Sequence, residues 1–175
     1  MNVHKMRRAA QVLTEDECVE VLLRGTGGVL ALAGGPDEWP YAVPLSYAYR
    51  DGVITFHGAM EGHKHELIAA NPNASFCVID AHEVVPADYT TRYRSVICFG
   101  TIEVVDEPAE QEDDLMFMGE AFNVGHPEDC REEISHWAGK TRVLRLRVER
   151  MTGKESGALM RERRAANPDR GEGVA

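Results

Sequence analysis

The stretch Tyr41-Ala-Val-Pro-Leu-Ser-Tyr-Ala-Tyr-Arg50-Asp51-Gly52-Val53-Ile-Thr-Phe-His57 decides the fold. Tyr41, Val43, Leu45, Tyr47 and Tyr49 are large, whereas Ala42, Pro44, Ser46 and Ala48 between them are small. A repeat of two places the two sets on opposite faces of a strand. Asp51-Gly52 is a hairpin signal, because both types tolerate the positive φ that a tight turn demands. Val53–His57 therefore returns antiparallel to Tyr41–Arg50. Pro44 lacks an N–H, so its strand has an edge or a break at that point.

The flanks extend this pattern. Thr14-Glu15-Asp16-Glu17 fits a capping box opening a helix through Val19, Leu22 and Leu23 to a stop at Gly25. Gly28–Ala33 reads as a short apolar strand ended by Gly34-Gly35-Pro36-Asp37. After His57 the pattern predicts a helix over 62–71 stopped by Asn71-Pro72, then a strand Ala74–Asp80. Residues 81–92, with Pro86, read as a loop, and Arg94–Val105 as a long strand. Pro108–Phe122 is helical with Leu115, Met118 and Phe122 on one face, and Asp129–Trp137 is a further short helix. Thr141–Met151 is the last strand, where Leu144, Leu146 and Val148 alternate with Arg145, Arg147 and Glu149.

Hairpin-like strands with few, short helices indicate a mainly β fold, an antiparallel barrel with helices attached. A doubly wound sheet would need long helices between its strands. One domain is expected over residues 1–160. The tail 161–175, charged and then rich in Asn, Pro and Gly, is expected to be frayed.

The bulk numbers suit a soluble globular chain of 175 residues, with 43% hydrophobic and 27% charged residues. A net charge of −10 argues against nucleic-acid or anionic-membrane partners, which need a cationic surface. It leaves room for one small cationic pocket. No apolar run approaches the roughly 18 residues that span a bilayer, and the basic N-terminus has no apolar stretch behind it, so no signal peptide is read. Cys18, Cys77, Cys98 and Cys130 are scattered without a Cys-x-x-Cys pair. The expectation is a reduced, cytoplasmic protein.

Chemistry concentrates in Phe56-His57-Gly58-Ala59-Met-Glu-Gly62-His63-Lys64-His65. Gly62 lets backbone approach an anion, a helix start offers free N–H groups, and Lys64 and His63 add cationic and donor groups. The residues alone also allow a plain solvated turn. His57, His63 and His65 lack the cysteine or carboxylate that would complete a metal set, so no metal is expected. Tyr41–Tyr47, with small side chains on one face, could border a flat ring system or simply pack a barrel. Tyr93-Arg94-Ser95 offers polar groups at a strand mouth. No nucleophile elbow Gly-x-Ser-x-Gly is present.

Together, Trp39-Pro40-Tyr41-Ala-Val-Pro-Leu45-Ser-Tyr47, Phe56-His57-Gly-Ala59-x-x-Gly62-His63-Lys64, Asn71-Pro72, Tyr93-Arg94-Ser95-Val96-Ile97-x-Phe99-Gly100 and Thr152-Gly153-Lys154 resemble a known family. It is the FMN-binding split-barrel superfamily that includes pyridoxamine 5′-phosphate oxidase, nearest its nitroimidazole-resistance branch. The resemblance implies a six-stranded antiparallel split β-barrel, a homodimer, and FMN at the dimer interface. It implies that Val43, Pro44, Leu45, Ser46 and Tyr47 border the flavin ring, with His57, Gly58 and Ala59 alongside. Gly62, His63 and Lys64 would hold the phosphate, and Ser95 would make a polar flavin contact. His57 would contact substrate or deliver a proton. The implied activity is a flavin-dependent, nitroreductase-like oxidoreduction of a small molecule. Alternatives are a non-catalytic flavin-binding or sensor protein, or the same fold using a deazaflavin or haem. Tyr41 and His63 stand where the oxidase has arginines, so the implied phosphate grip is less cationic. The oxidase's arginine-rich C-terminal substrate signature is not visible in Arg161-Glu-Arg-Arg164, so oxidation of pyridoxamine phosphate is not the expected reaction.

Overall fold

The computed structural model describes residues 9–122, 127–137 and 139–166. Among these residues eight strands form one antiparallel sheet: β1 Val12–Leu13, β2 Gly27–Leu32, β3 Tyr41–Ser46, β4 Ala48–Arg50, β5 Val53–Ala59, β6 Asn73–Val85, β7 Thr90–Val105 and β8 Thr141–Glu155. Their order is β3-β2-β6-β7-β8-β5-β4, with β1 beside β8. The two strands at the ends of this path, β3 and β4, are consecutive in the chain and separated only by Tyr47. The sheet therefore curls until its ends meet through one residue.

Eight rather than six strands follow from two local causes. The run Tyr41–Arg50 is broken at Tyr47, and Val12–Leu13 adds a short strand against Gly153 and Lys154. Pro44 does lie on an end strand of the path, where its missing N–H leaves no ladder bond unmade. Asp51 and Gly52 form the hairpin turn with φ of 50° and 81°.

The core lies inside the curl. Tyr47, Phe56 and Phe76 are fully buried and meet edge to face, with centroids 5.0 Å apart for Tyr47–Phe76 and 4.9 Å for Phe56–Phe76. Truncating such a ring to alanine typically costs about 3–5 kcal/mol. At a bulge in the β7–β8 pairing, a Cβ on Gly100 would stand 1.9 Å from the Arg147 carbonyl oxygen, so only glycine fits there.

Among the described residues, five α-helices attach to this sheet. In α1, Glu15–Arg24, the capping box is present: Thr14 N–H donates to Glu17 Oε2 at 2.8 Å, and Glu17 N–H to Thr14 Oγ1 at 3.3 Å. Helix α2 is His63–Ala70, and its Leu67 and Ile68 enter the core. Helix α3, Pro108–Phe122, packs against β4, β5 and β8, and α4, Pro127–Trp137, packs against α3. There Arg145 reaches Asp114 at 2.7 Å and Glu110 at 2.6 Å, and the Arg50 guanidinium lies 4.1 Å from the Phe117 ring centroid.

Two expectations are corrected. Residues 81–92 are not a loop: β6 and β7 continue as a long hairpin arm, with His82 opposite Tyr93 and Glu83 opposite Arg92. Residues 161–166 are not frayed, since they belong to α5, Gly157–Ala166, which the Arg163 side chain ties to Glu155 and Glu17. The rest of the predicted tail lies outside the described residues. Among the described residues no helix is long and apolar enough to cross a membrane.

Candidate functional site

Strand β5 ends at Ala59, and the chain turns into α2 through Gly62, whose φ of 134° suits glycine. No side chain caps α2. The first N–H groups of this helix are thus available to an external acceptor. The Lys64 ammonium lies over Gly58: a Cβ built there would stand 3.2 Å from Lys64 Nζ, so a bare backbone is what admits the cation.

Arg142 on β8 is the register partner of Gly58 and brings a second cation to the same strand end. Among the described residues neither Lys64 nor Arg142 has a carboxylate partner. His63 contacts Glu66 at 3.3 Å and meets the Tyr41 ring edge-on at 5.1 Å. His65 Nε2 lies 2.9 Å from the Ala59 carbonyl oxygen, which only accepts, so Nε2 carries the hydrogen. The other nitrogen, Nδ1, is buried without a partner. Burial, helped by the charges of Lys64 and Arg142, pushes the His65 pKa below its ordinary value against the opposing carbonyl bond.

A second surface lies on the outer face of the sheet. Pro44, Val29, Cys77, Ile97 and Thr152 form one row across β3, β2, β6, β7 and β8. Ser95 sits opposite Ile79 and Lys154 in an adjacent row. Along β3 the burial alternates, with Ala42, Pro44 and Ser46 exposed and Tyr41, Val43 and Leu45 half-buried. A shallow depression of about 460 Å³ here is lined by Gly27, Gly28, Val29, Pro44, Leu45, Ser46, Cys77 and Ile79. Strand β3 links this surface to the turn, because Tyr41 touches His63; three residues of strand from Tyr41 to Pro44 span about 10 Å.

His57 stands apart from both. It alternates with Gly58, so it faces outward under α3 and α4, in a cavity of about 740 Å³ that includes Met118, Cys130, Glu133 and Trp137. Its side chain reaches the surface, yet the packing around it lowers its pKa by desolvation.

The predicted residues thus separate into three groups. Gly58, Ala59, Gly62, His63 and Lys64 converge at the turn. Pro44, Ser46 and Ser95 share the outer sheet face, and His57 lines the helix-covered cavity. Tyr47 has its side chain fully buried, with its hydroxyl donating to the Leu22 carbonyl at 2.9 Å, so only its backbone is available to the outer surface. Val43 and Leu45 turn partly toward the core and offer mainly backbone to the outer surface. Arg142 was not legible as a site residue, since only strand pairing sets it beside Gly58. The α4 side of the His57 cavity was likewise invisible, although the face of α3 that lines it was not.

A family model described as pyridoxamine 5′-phosphate oxidase matches residues 14–155. No curated protein matches the chain. Among solved structures, the chain is similar to a conserved hypothetical protein from Mycobacterium tuberculosis, with 22% identity, TM-score 0.74, and coverage of 89% of this chain and 92% of that one. It is similar to a FAD-binding protein from Mesorhizobium loti, with 26% identity, TM-score 0.58, and coverage of 84% and 98% respectively. It is also similar to a candidate 5-nitroimidazole antibiotic resistance protein from Bacteroides thetaiotaomicron, with 20% identity, TM-score 0.67, and coverage of 82% and 86%. The matched residues run from the N-cap of α1 to the last residue of β8, and the chain belongs to the pyridoxamine 5′-phosphate oxidase family.

Proposed function

We propose that this chain binds a flavin, FMN in the first instance, and serves as a flavin-dependent oxidoreductase for a small molecule of nitroaromatic type. The observation that carries the reading is the pair of unmatched cations, Lys64 and Arg142, at an uncapped helix start beside a bare glycine. A phosphate fits this cradle: it would take the α2 N–H groups and both positive charges, and Gly58 leaves space for Lys64 to approach. The FAD-binding relative from Mesorhizobium loti and the nitroimidazole-resistance relative from Bacteroides support the cofactor and substrate classes.

Bound flavin would supply hydride or electron transfer. The work of this chain is to hold and orient. Pro44 and Ser46, small and exposed on β3, leave a flat border for a ring, and Ser95 offers a hydroxyl on the same face. His57, largely uncharged near neutral pH because burial lowers its pKa, would contact substrate or hold a proton at an imidazole nitrogen. Two copies would share the site through the outer sheet face. On it Ile79 is 61% and Phe99 38% exposed, next to Val29, Cys77 and Ile97, an apolar surface that a second copy would cover.

The test is the visible spectrum of the purified protein, followed by parallel titration with FMN and FAD and by light scattering. Yellow protein, or stoichiometric FMN uptake by a dimer, is expected. A colourless preparation that takes up neither flavin overturns the reading. Preference for FAD would replace the cofactor but keep the cradle, and a monomer that binds FMN would remove the interface.

A further inference from the structure

The cavity beneath the α3–α4 pair has chemistry that the cradle does not use. Its floor is His57 and Thr141, from the paired ends of β5 and β8. Leu115, Met118 and Ile134 supply apolar walls, and Trp137 an aromatic one. Glu133, one turn from Asp129 on α4, adds a carboxylate, and among the described residues no lysine or arginine lines the space. At about 740 Å³ it has the size of an ordinary small-molecule site.

The distribution of charge selects among occupants. A ligand with several acid groups, such as a haem with its propionates, would meet the Glu133 carboxylate and, among the described lining residues, no lysine or arginine. A neutral apolar ligand would fill the walls but leave Glu133 unused by anything except Trp137, whose indole N–H donates to Glu133 Oε1 at 2.6 Å. Lys140 Nζ lies 5.8 Å from the Trp137 ring centroid, but it donates to the His136 carbonyl and is not among the residues that line the cavity. An aromatic cation uses every wall: its ring against Leu115, Met118 and Trp137, its positive group toward Glu133.

We propose that the α3–α4 cavity is a binding pocket for a flat organic molecule carrying a protonated nitrogen, held by Glu133 at the rim and by the Leu115–Met118–Trp137 walls, with His57 at its floor. Calling this occupant the substrate rests on the flavin reading above; its binding does not. His57 does not oppose the cation, because desolvation keeps its imidazole largely neutral near pH 7.

The experiment is calorimetric titration of the full chain, with and without FMN, using three probes of one shape: 1-naphthylmethylamine (cation), 1-naphthylmethanol (neutral) and 1-naphthylacetate (anion). The cation should bind about tenfold more tightly than the alcohol, the scale of one charge-assisted contact, and the anion most weakly. Glu133→Gln keeps an acceptor for Trp137 and should remove most of the preference for the cation. Leu115→Trp should fill the cavity and abolish binding of all three, with the fold checked by circular dichroism. Equal affinities, tightest binding of the anion, no heat from any probe at millimolar concentration, or an unchanged charge preference in Glu133→Gln overturns the proposal. If the cation binds as expected but the chain takes up no flavin, the pocket stands and only its role as a substrate site falls.

Discussion

Two clusters of charge in this molecule behave in opposite ways. Around the end of β8, Arg24, Asp80, Arg94, Glu155, Arg163 and Glu17 alternate in sign, and each cation has carboxylate partners within the chain. Arg24 Nε is 2.6 Å from Asp80, Arg94 Nε is 3.0 Å from Glu155, Arg163 Nε is 2.7 Å from Glu155, and Arg163 also holds Glu17. The Arg24 hydrogen bond, more than its charge, pulls the Asp80 pKa below the ordinary carboxylate range against partial burial. At the start of α2, Lys64 and Arg142 stand together with no such partner among the described residues. Two cations brought together raise the energy of a fold unless something compensates them. The chain matches its charges internally where they join α1, β7, β8 and α5. At the α2 turn no carboxylate among the described residues does this, which leaves the two charges to solvent or to the bound phosphate proposed above.

The largest effect should come from breaking the matched cluster. Glu155 is fully buried and serves both Arg94 and Arg163. Replacing it with alanine leaves two guanidinium groups short of a partner in a poorly solvated place, a change that typically costs about 3–5 kcal/mol. Urea unfolding of Glu155→Ala should show this loss, together with easier proteolysis of α5. A loss below about 1 kcal/mol, the range of exposed ion pairs, would mean that water already reaches the cluster and that it does not hold the helix.

Breaking the unmatched cluster should do the reverse. Lys64→Ala should change stability by no more than about 0.5 kcal/mol, as surface substitutions commonly do. It should weaken FMN binding by about 1.5–3 kcal/mol, the range of a hydrogen bond to a charged group. Arg142→Ala should weaken FMN binding in the same direction. Fluorescence titration measures both. Unchanged FMN affinity in both variants would place the phosphate elsewhere and leave the two cations without a function.

The same contrast explains what could be read from the chain beforehand. The Asp51-Gly52 hairpin, the Thr14 capping box and the alternation along β3 and β8 are local signals, and the structure contains all of them. The arm over 81–92 was misread because both of its faces are largely exposed, so no apolar alternation marks it; its order comes from pairing such as His82 with Tyr93. The helix over 161–166 depends on Arg163 reaching Glu17, a residue far away in the chain. At the site, Gly62, His63 and Lys64 are a contiguous motif and were legible. Arg142 was not, because strand register alone sets it opposite Gly58. The burial of the Tyr47 ring was not legible either, because its place in the alternation does not reveal that the chain breaks there and sends the ring into the core.

The smallest predicted effect is also the most local report on the unmatched cluster. In the neutral state His65 has its hydrogen on Nε2, facing the Ala59 carbonyl, so an added proton must go to the buried, unpartnered Nδ1. Burial chiefly, then the charges of Lys64 and Arg142, oppose it and lower the folded-state pKa. An unfolded chain has an imidazole pKa of about 6.5. Below that pH it binds a proton that the folded chain refuses, so the contribution of His65 to stability is complete above about 6.5 and declines on acidification toward the lower folded value. An anion seated on Lys64 and Arg142 cancels the repulsion and should raise the pKa. Following the His65 ring by NMR from pH 8 to 5, the midpoint should lie below 6.5 in the free protein and move up when FMN or inorganic phosphate is added. Lys64→Ala should raise the midpoint of the free protein and shrink the ligand-induced shift. A midpoint indifferent to phosphate would show that no anion comes near His65, and the cation pair would then need a different explanation.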